Sequence, residues 1–280
     1  MLDDRTGAKA VRRQVRCSST TGLSARQLAK AVRNMSSAKG SSAAEAPYND
    51  TSTDTYTTTM TRIQVAKIVR WLFHLHYDIR TEGGELLRDD KVHLVFPNHP
   101  AYVEPPMLCA EFPEVLLRPI ADEAFFRKRI SGWALRLASA IVVPDLPATT
   151  ADNREQSAAK ARQLSATALQ ALADGNDLLI YPSGHIRFKP VEQIGNRRLA
   201  YEVCQGIFAP ENRDTYANVR VIMLRTTGLD DSFFSKQKTR PTLRRHVLMH
   251  FEDLTDSLRE WSQLERRAFN EQLEQWYNRQ

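Results

Sequence analysis

The chain has 280 residues, of which 42% are hydrophobic and 26% charged, a composition typical of a globular protein with a sizeable core. Three cysteines, Cys17, Cys109 and Cys204, are too few and too scattered for a disulfide framework or a zinc site. Their scarcity favours a reducing, intracellular compartment. No run approaches the about 18 apolar residues that a membrane-spanning helix requires, so the sequence argues against an integral, multi-pass protein.

The first segment of the chain differs from the rest. Residues 1–60 carry nine Lys/Arg and five Asp/Glu, whereas residues 61–280 carry thirty and twenty-eight. The near-neutral body argues against a nucleic-acid footprint. Seventeen of the first sixty residues are Ser or Thr, which predicts a disordered basic tail over 1–59, followed by a single domain over 60–280. The tail is compatible with an organelle targeting segment or with a plain solvated extension.

From Met60 to Leu75, apolar residues at helical spacing predict an amphipathic helix that packs on the core or lies on a bilayer surface. Strands and helices then alternate. The predicted strands are Lys91–Phe96, Val115–Ala121, Ala140–Val143, Asp177–Tyr181, Val219–Arg225 and Leu243–Phe251. The predicted helices are Asp152–Ala173, Val191–Phe208 and a C-terminal helix with Trp261, Leu264, Ala268, Leu273 and Trp276 on one face. This order predicts an α/β domain with a mixed, largely parallel sheet flanked by helices.

The first candidate site follows the strand that ends at Phe96, in the loop from Asn98 to Glu104. Ligands of α/β sheets bind at the carboxyl ends of strands. A turn through Pro105 can bring the carboxylate of Glu104 back onto His99, which would fix the imidazole tautomer and leave one nitrogen as a base. A turn histidine beside a solvated glutamate gives the same spacing without function.

The second candidate site is the segment Tyr181–Arg187, which also follows an apolar strand. The backbone N–H groups of Ser183 and Gly184, with the side chains of Arg187 and Lys189, suit a phosphate or a developing oxyanion. A tight turn after a strand explains the Ser-Gly pair equally well.

Together the two segments resemble the glycerolipid acyltransferases of the lysophosphatidic-acid acyltransferase type. That family carries an Asn-His-x4-Asp block and, some eighty residues later, a Phe-Pro-Glu-Gly-Thr-Arg block. Asn98–Glu104 and Tyr181–Arg187 stand in the corresponding places, and the resemblance spans about residues 62–280. Leu224–Leu229 and Ser232–Ser235 are closest to one subgroup, the 2-acylglycerophosphoethanolamine acyltransferase domain.

The resemblance implies transfer of a fatty acyl group from acyl-CoA or acyl carrier protein to the hydroxyl of a lysophospholipid. His99 would be the general base and Glu104 would orient it. The substrate-binding residues implied by position are Asn98, Arg118, Ser183, Gly184 and Arg187. Beyond the acyl carrier, the resemblance implies no cofactor and no metal. It implies lipid substrates, a peripheral position on an intracellular membrane and no nucleic-acid partner.

The chain departs from the family pattern at several positions. Glu104 replaces the aspartate, Ser183 replaces the glutamate, and His185 and Ile186 replace the Thr-Arg pair. These changes leave the acceptor head group open. They also keep two other functions open: a thioesterase or lipid hydrolase that activates water with the same dyad, and a catalytically degenerate protein that binds lipid or an acyl carrier.

Overall fold

The computed structural model describes residues 51–143, 151–232, 234–236 and 245–279. The helices in these residues are α1 (Thr51–His76), α2 (Glu104–Glu111), α3 (Glu123–Phe126), α4 (Arg129–Leu137), α5 (Ala151–Ala173), α6 (Leu199–Phe208), α7 (Thr255–Trp261) and α8 (Arg266–Asn278). The strands are β1 (Tyr77–Glu82), β2 (Val92–Pro97), β3 (Arg118–Asp122), β4 (Ile141–Val143), β5 (Leu178–Leu179), β6 (Val219–Thr227) and β7 (Arg245–Asp253). Short 3₁₀ helices cover Gly84–Arg88 and Pro210–Asn212.

The strands form one sheet in the order β1-β7-β6-β2-β5-β3-β4. The pair β6–β7 is antiparallel, and the other neighbouring pairs of the described sheet are parallel. The predicted fold class, an α/β domain with a mixed, largely parallel sheet flanked by helices, is therefore confirmed.

Helices cover both faces of this sheet. Alternate strand residues point to opposite faces, and two separate clusters form on them. On one side, Leu94 and Phe96 of β2 pack with α5, α6 and α8 through Leu172, Val203 and Phe269. On the other side, the packing residues are Val95, Leu179, Leu87, Met107, Leu108 and Phe112. Because both faces are buried, the central strands read as continuous apolar runs.

The register of β2 decides where the site lies. Leu94 is aligned with Leu178 of β5, and Pro97 with Leu224 of β6. Since β2 runs parallel to both neighbours, the loops that follow these three strands all leave the sheet at the carboxyl ends of the strands. The segments after β2 and after β5, which carry the two candidate sites, therefore meet there.

Strand β1 was not predicted. It lies at the edge of the sheet and pairs with β7 from Tyr77 to Glu82. Ile79 is buried while the next three residues are exposed, so the segment carries little apolar signal. Edge position rather than composition makes it a strand. The predicted strand Val115–Ala121 begins later than expected, at Arg118.

The predicted helix Val191–Phe208 is only half right, because α6 begins at Leu199. Gly195 has a positive φ of 61°, which breaks a helix. Glu274 of α8 accepts the N–H groups of Ile194 and Gly195 at 2.6 and 2.8 Å. Contacts from a distant helix thus replace the helical hydrogen bonds that local pattern predicts. The predicted C-terminal helix is likewise two helices, α7 and α8, separated between Trp261 and Arg266.

Helix α1 begins at Thr51, earlier than the predicted start at Met60. Ile63 is buried, but Ile68, Trp71, Leu72 and Leu75 are 47–62% exposed. Packing on the core therefore accounts for only part of this helix, because these four side chains remain largely exposed in the described structure. Most of the predicted tail, including Cys17 and its targeting features, lies outside the described residues. In the part that the structure describes, no helix combines the length and apolarity needed to cross a membrane.

Candidate active site

His99 lies just beyond the carboxyl end of β2, in a loop that Asn98 fastens to β6. The Asn98 side-chain amide donates to Thr226 O at 2.9 Å, and Thr226 N–H donates to Asn98 Oδ1 at 2.7 Å. Asn98 is buried and its amide is occupied by the backbone. Asn98 therefore has a structural role, since its side chain fixes the backbone immediately before His99. Its expected contact with substrate stays a prediction.

The two motif segments touch directly. The backbone N–H of Arg187 donates to His99 O at 3.0 Å, and Ile180 N–H donates to Val95 O at 3.0 Å. The second bond extends the pairing of β5 with β2 to the carboxyl ends of the two strands. The structure thus brings together two segments that the sequence places about eighty residues apart.

Glu104 is the first residue of α2, and a proline at the start of the helix fits a position where a backbone N–H is not needed. Its side chain is completely buried. The Tyr181 hydroxyl donates to Glu104 Oε2 at 2.6 Å. The expected hydrogen bond between Glu104 and His99 is not formed: His99 Nδ1 and Glu104 Oε1 are both buried without a hydrogen-bond partner among the described residues. The donor to the Glu104 carboxyl is the phenol of Tyr181 instead.

Tyr181 connects the two residues instead. Its ring lies against the imidazole of His99 with the ring centroids 4.2 Å apart and the planes inclined by 32°. Its hydroxyl holds Glu104. Burial and the neighbouring Glu104 raise the pKa of Tyr181 well above its ordinary value. The phenol therefore keeps its proton and remains a donor.

Burial dominates the electrostatics of Glu104. The pKa of Glu104 is raised from 4.5 to about 8, with burial as the largest cause and the nearby carboxyl of Glu192 acting in the same direction. The hydrogen bond from Tyr181 acts in the opposite direction, as does the Thr226 hydroxyl, which lies close without a hydrogen bond of good geometry. Glu104 therefore holds a proton at neutral pH in the free protein.

The pKa of His99 is shifted in the opposite direction, downward. Burial, the largest cause, together with the neighbouring His185 and Lys236, lowers the pKa of His99 from 6.5 to about 3. At neutral pH the imidazole is uncharged, which is the form that can accept a proton.

Glu192 is part of the site although no sequence motif marks it. One of its oxygens accepts the backbone N–H of His99 at 3.4 Å and lies 3.9 Å from Arg187 Nη1. Asn278 of α8 binds both the N–H and the C=O of Glu192, at 2.8 and 2.9 Å. Burial raises the pKa of Glu192. The residue lies in the segment predicted as a helix, where a glutamate gives no catalytic signal.

Unpaired buried polar atoms concentrate at this place. Among the described residues, they include His99 Nδ1, Glu104 Oε1, Glu192 Oε1 and Thr226 Oγ1. Native proteins leave few such atoms, and clusters of them call for a functional explanation.

The side chain of Arg187 is buried and engaged inside the protein. It donates two hydrogen bonds to Asp230, from Nε at 2.8 Å and from Nη2 at 2.6 Å to the second oxygen. The guanidinium is buried and its charge is balanced by Asp230 and Glu192. In the described structure Arg187 forms an internal ion pair where a phosphate contact was expected, with Asp230 from a distant part of the chain and Glu192 from the segment that follows.

Ser183 and Gly184 form a tight turn. Gly184 has a positive φ of 63°, a conformation that favours glycine. Its N–H donates to Tyr181 O at 3.0 Å, and Ser183 Oγ donates to His185 O at 3.1 Å. The expectation that the Gly184 N–H is free for an oxyanion is therefore wrong, since the turn uses it.

Arg118 lies at the wrong end of the sheet for phosphate binding at this site. It is aligned with Leu178, and Leu178 with Leu94. Strand β2 continues three residues beyond Leu94, which at about 3.3 Å per residue is about 10 Å. The guanidinium donates to Ser139 O at 2.8 Å. Arg118 therefore belongs to the amino edge, away from His99.

Lys236 is the cation that the structure brings to His99 in place of these arginines. Tyr102 N–H donates to Phe234 O at 3.0 Å, and Ala101 bridges to Ser235, which places this segment beside the histidine loop. Lys236 Nζ lies 4.5 Å from the ring centroid of Phe188 and 5.7 Å from that of Tyr102. The sequence carries no local signal for this contact.

In the described part of the chain, no group of three or more His, Cys, Asp or Glu is placed to hold a metal ion. The site residues are instead a histidine, two buried carboxyls, a phenol and a lysine. This set is suited to moving a proton and contacting an anion.

No family model matches the chain, and no curated protein matches its sequence significantly. Among solved structures, the fold is similar to the crystal structure of the 1-acyl-sn-glycerophosphate (LPA) acyltransferase from Thermotoga maritima, with a TM-score of 0.48 and 15% sequence identity. The match covers 91% of this chain and 98% of that one. A likeness at this level does not by itself assign residues or substrates.

Proposed function

We propose that this protein transfers a fatty acyl group from a thioester to the hydroxyl of a lysophospholipid. The hydroxyl oxygen attacks the thioester carbonyl carbon while His99 takes the hydroxyl proton. An ester bond forms, the carbon–sulfur bond breaks, and the departing thiolate receives the proton from the imidazolium. The reaction balances with acyl-CoA or acyl carrier protein as donor, and no further cofactor enters it.

The observation that carries this proposal is the placement of His99. It is a neutral imidazole at the carboxyl ends of the parallel strands. Tyr181 contacts its ring and hydrogen-bonds to the buried carboxyl of Glu104. The segment that resembles the second acyltransferase block contacts it through Arg187 N–H. A general base beside a buried carboxyl is what deprotonation of an alcohol requires.

The surroundings of His99 fit a substrate with an anionic end and an apolar chain. Lys236 supplies a positive charge, and its neighbours Tyr102, Phe188 and Phe234 are 45–64% exposed. A phosphate of the lysophospholipid or of the donor would contact Lys236. The exposed rings would contact the acyl chain or lipid surface.

The exposed half of α1 supports action at a membrane surface. Ile68, Trp71, Leu72 and Leu75 form an apolar patch, and the exposed side chain of Lys67 lies beside it. Tryptophan and basic side chains favour the interface of anionic lipids. Binding to vesicles with anionic lipid that is lost in Trp71→Ser with Leu75→Ser would support this part; unchanged binding would contradict it.

Transfer itself is tested with the full chain in micelles, radiolabelled acyl-CoA or acyl carrier protein, and a panel of lysophospholipids. His99→Ala should abolish formation of the diacyl product. His246→Ala is the matched control, because His246 is exposed and hydrogen-bonded to Asp78 at the edge of the sheet. Equal activity in wild type and His99→Ala would contradict the proposal. Release of free fatty acid alone would identify a hydrolase.

A further inference from the structure

Tyr181 contacts both residues that the proposed reaction needs. We propose that Tyr181 is the positioning residue of this site: its ring sets the orientation of the His99 imidazole, and its hydroxyl holds the Glu104 carboxyl in place. This inference rests on the proposed acyl transfer and names a residue whose role no motif assigns. It follows from two contacts of one side chain, the ring stack at 4.2 Å and the hydrogen bond at 2.6 Å.

The ring of Tyr181 is needed because His99 lacks the usual support. A base histidine is normally oriented by a hydrogen bond to the ring nitrogen that does not take the proton. His99 Nδ1 has no such partner among the described residues. The stacked ring of Tyr181 is the contact that limits rotation of the imidazole there.

The hydroxyl of Tyr181 is needed because the buried surroundings of Glu104 disfavour a negative charge on the Glu104 carboxyl. Besides Tyr181, the titratable groups that face the carboxyl come from three elements: Cys109 of α2, Glu192 of the loop before α6, and Tyr277 of α8. The Thr226 hydroxyl of β6 is also close. None of these is a cation, so the donor that stabilises ionised Glu104 with good geometry is Tyr181.

The ionised carboxyl matters when His99 becomes positively charged. As His99 takes the proton from the acceptor hydroxyl, a negative charge on Glu104 stabilises the imidazolium, and in a buried site this effect extends beyond hydrogen-bond distance. Tyr181 thus acts on the reaction through Glu104 and His99, without touching the reacting atoms.

The test is Tyr181→Phe, which keeps the stacked ring and removes the donor. We expect kcat to fall about 10- to 100-fold, the range for a hydrogen bond to a charged group. The acidic limb of the pH–rate profile should move upward by about one pH unit or more, because the lost donor favoured the ionised carboxyl. KM should stay unchanged. Tyr181→Leu removes the ring as well and should lower kcat further.

Tyr277→Phe is the matched control. Tyr277 is a buried tyrosine of the same core whose hydroxyl donates to Phe96 O at 2.9 Å. Like Tyr181→Phe, this substitution removes one phenolic hydroxyl, but it leaves the Tyr181 donor to Glu104 intact. It should lower stability and leave the pH–rate profile in place. A shift as large as that of Tyr181→Phe would overturn the inference.

A second measurement does not depend on turnover. Infrared difference spectra of the folded protein follow protonation of the Glu104 carboxyl with pH, and Glu104→Gln identifies its band. Tyr181→Phe should titrate at higher pH than the wild type, and an unchanged titration would overturn the inference. If the titration shifts while the wild type transfers no acyl group to any acceptor, the hydrogen-bond role stands and the proposed function fails.

Discussion

The carboxylate of Glu192 accepts the backbone N–H of His99 at 3.4 Å, and Asn278 of the last helix holds both backbone polar groups of Glu192. The position of the candidate base therefore depends on the C-terminal helix of the chain. A histidine loop fastened by Asn98 on one side and Glu192 on the other has little freedom to move.

Glu192→Ala should consequently loosen the loop that carries His99. We expect kcat to fall about tenfold, because one hydrogen bond that orients the base is lost. Glu192→Gln keeps an acceptor for the same N–H and should retain more activity than Glu192→Ala. Steady-state kinetics of both variants would check this, and equal kcat values for the two would argue against a role in loop position.

The pH dependence of activity should follow Glu104. His99 has a pKa lowered to about 3 and stays uncharged throughout the pH range of an activity assay. Glu104 has a pKa raised to about 8, so the active, ionised form accumulates as the pH rises through that value. The kcat/KM profile of the wild type should therefore have an acidic limb near 8. His99→Ala serves as the blank for spontaneous thioester hydrolysis, and a limb near 6.5 would point to His99 instead.

Folding stability should also record the Glu104 pKa. Its pKa is higher in the folded chain, about 8, than its ordinary 4.5, so the folded state binds more protons between these values. Stability is thus lost as the pH rises from 4.5 to 8. Glu104→Gln removes this cost, which is roughly 5 kcal/mol above the folded pKa.

Denaturant titrations at pH ~4, below the ordinary pKa of the group, and at pH ~9, above its folded pKa, measure this difference. Glu104→Gln should be more stable than the wild type at the higher pH and similar to it at the lower pH. Glu260→Gln is the control, since Glu260 is an exposed carboxyl of α7. The same pH-dependent gain in Glu260→Gln would show that Glu104 is not its source.

Substitutions of Arg187 and Lys236 should have different effects: the first should lower the free energy of unfolding, and the second should weaken substrate binding. Arg187→Ala leaves the buried carboxyl of Glu192 without its cation and should lower the free energy of unfolding by about 3 kcal/mol. Lys236→Ala should leave stability unchanged and raise KM for the anionic substrate about tenfold, because a charge-assisted contact is lost.

Thermal denaturation and kinetics of both variants check this pair of expectations. Lys91→Ala is the matched control for Lys236→Ala, since Lys91 is an exposed lysine just before β2, at the opposite end of that strand from His99. A rise in KM for Lys91→Ala equal to that for Lys236→Ala would indicate a general charge effect rather than a contact at the site.

The alternation of apolar runs with helical patterns sufficed to predict the fold class and the strands that became β2, β4, β6 and β7. Local sequence carries this information because a strand buried on both faces must be continuously apolar. The same reasoning placed His99 and Tyr181 at the ends of apolar strands, and the structure pairs these two strands in parallel, which brings their loops together.

The partners of the site residues could not be predicted in the same way. Arg187 was expected to bind phosphate, but its side chain pairs with Asp230 and lies near Glu192, and the position of Arg118 follows only from strand register. The contact with Asp230 and the register of β3 join segments far apart in sequence, and no local pattern encodes them.

By itself, then, the sequence determined the layered α/β architecture and a histidine at the carboxyl edge of its central strand, since both follow from hydrophobic periodicity and the end of an apolar run. Only the tertiary structure decided that Tyr181 rather than His99 binds Glu104, that Glu192 holds the histidine loop, and that Lys236 is the cation beside the base. Hydrogen bonds and charges depend on distances of a few ångströms between distant segments, and those distances exist only once the chain has folded.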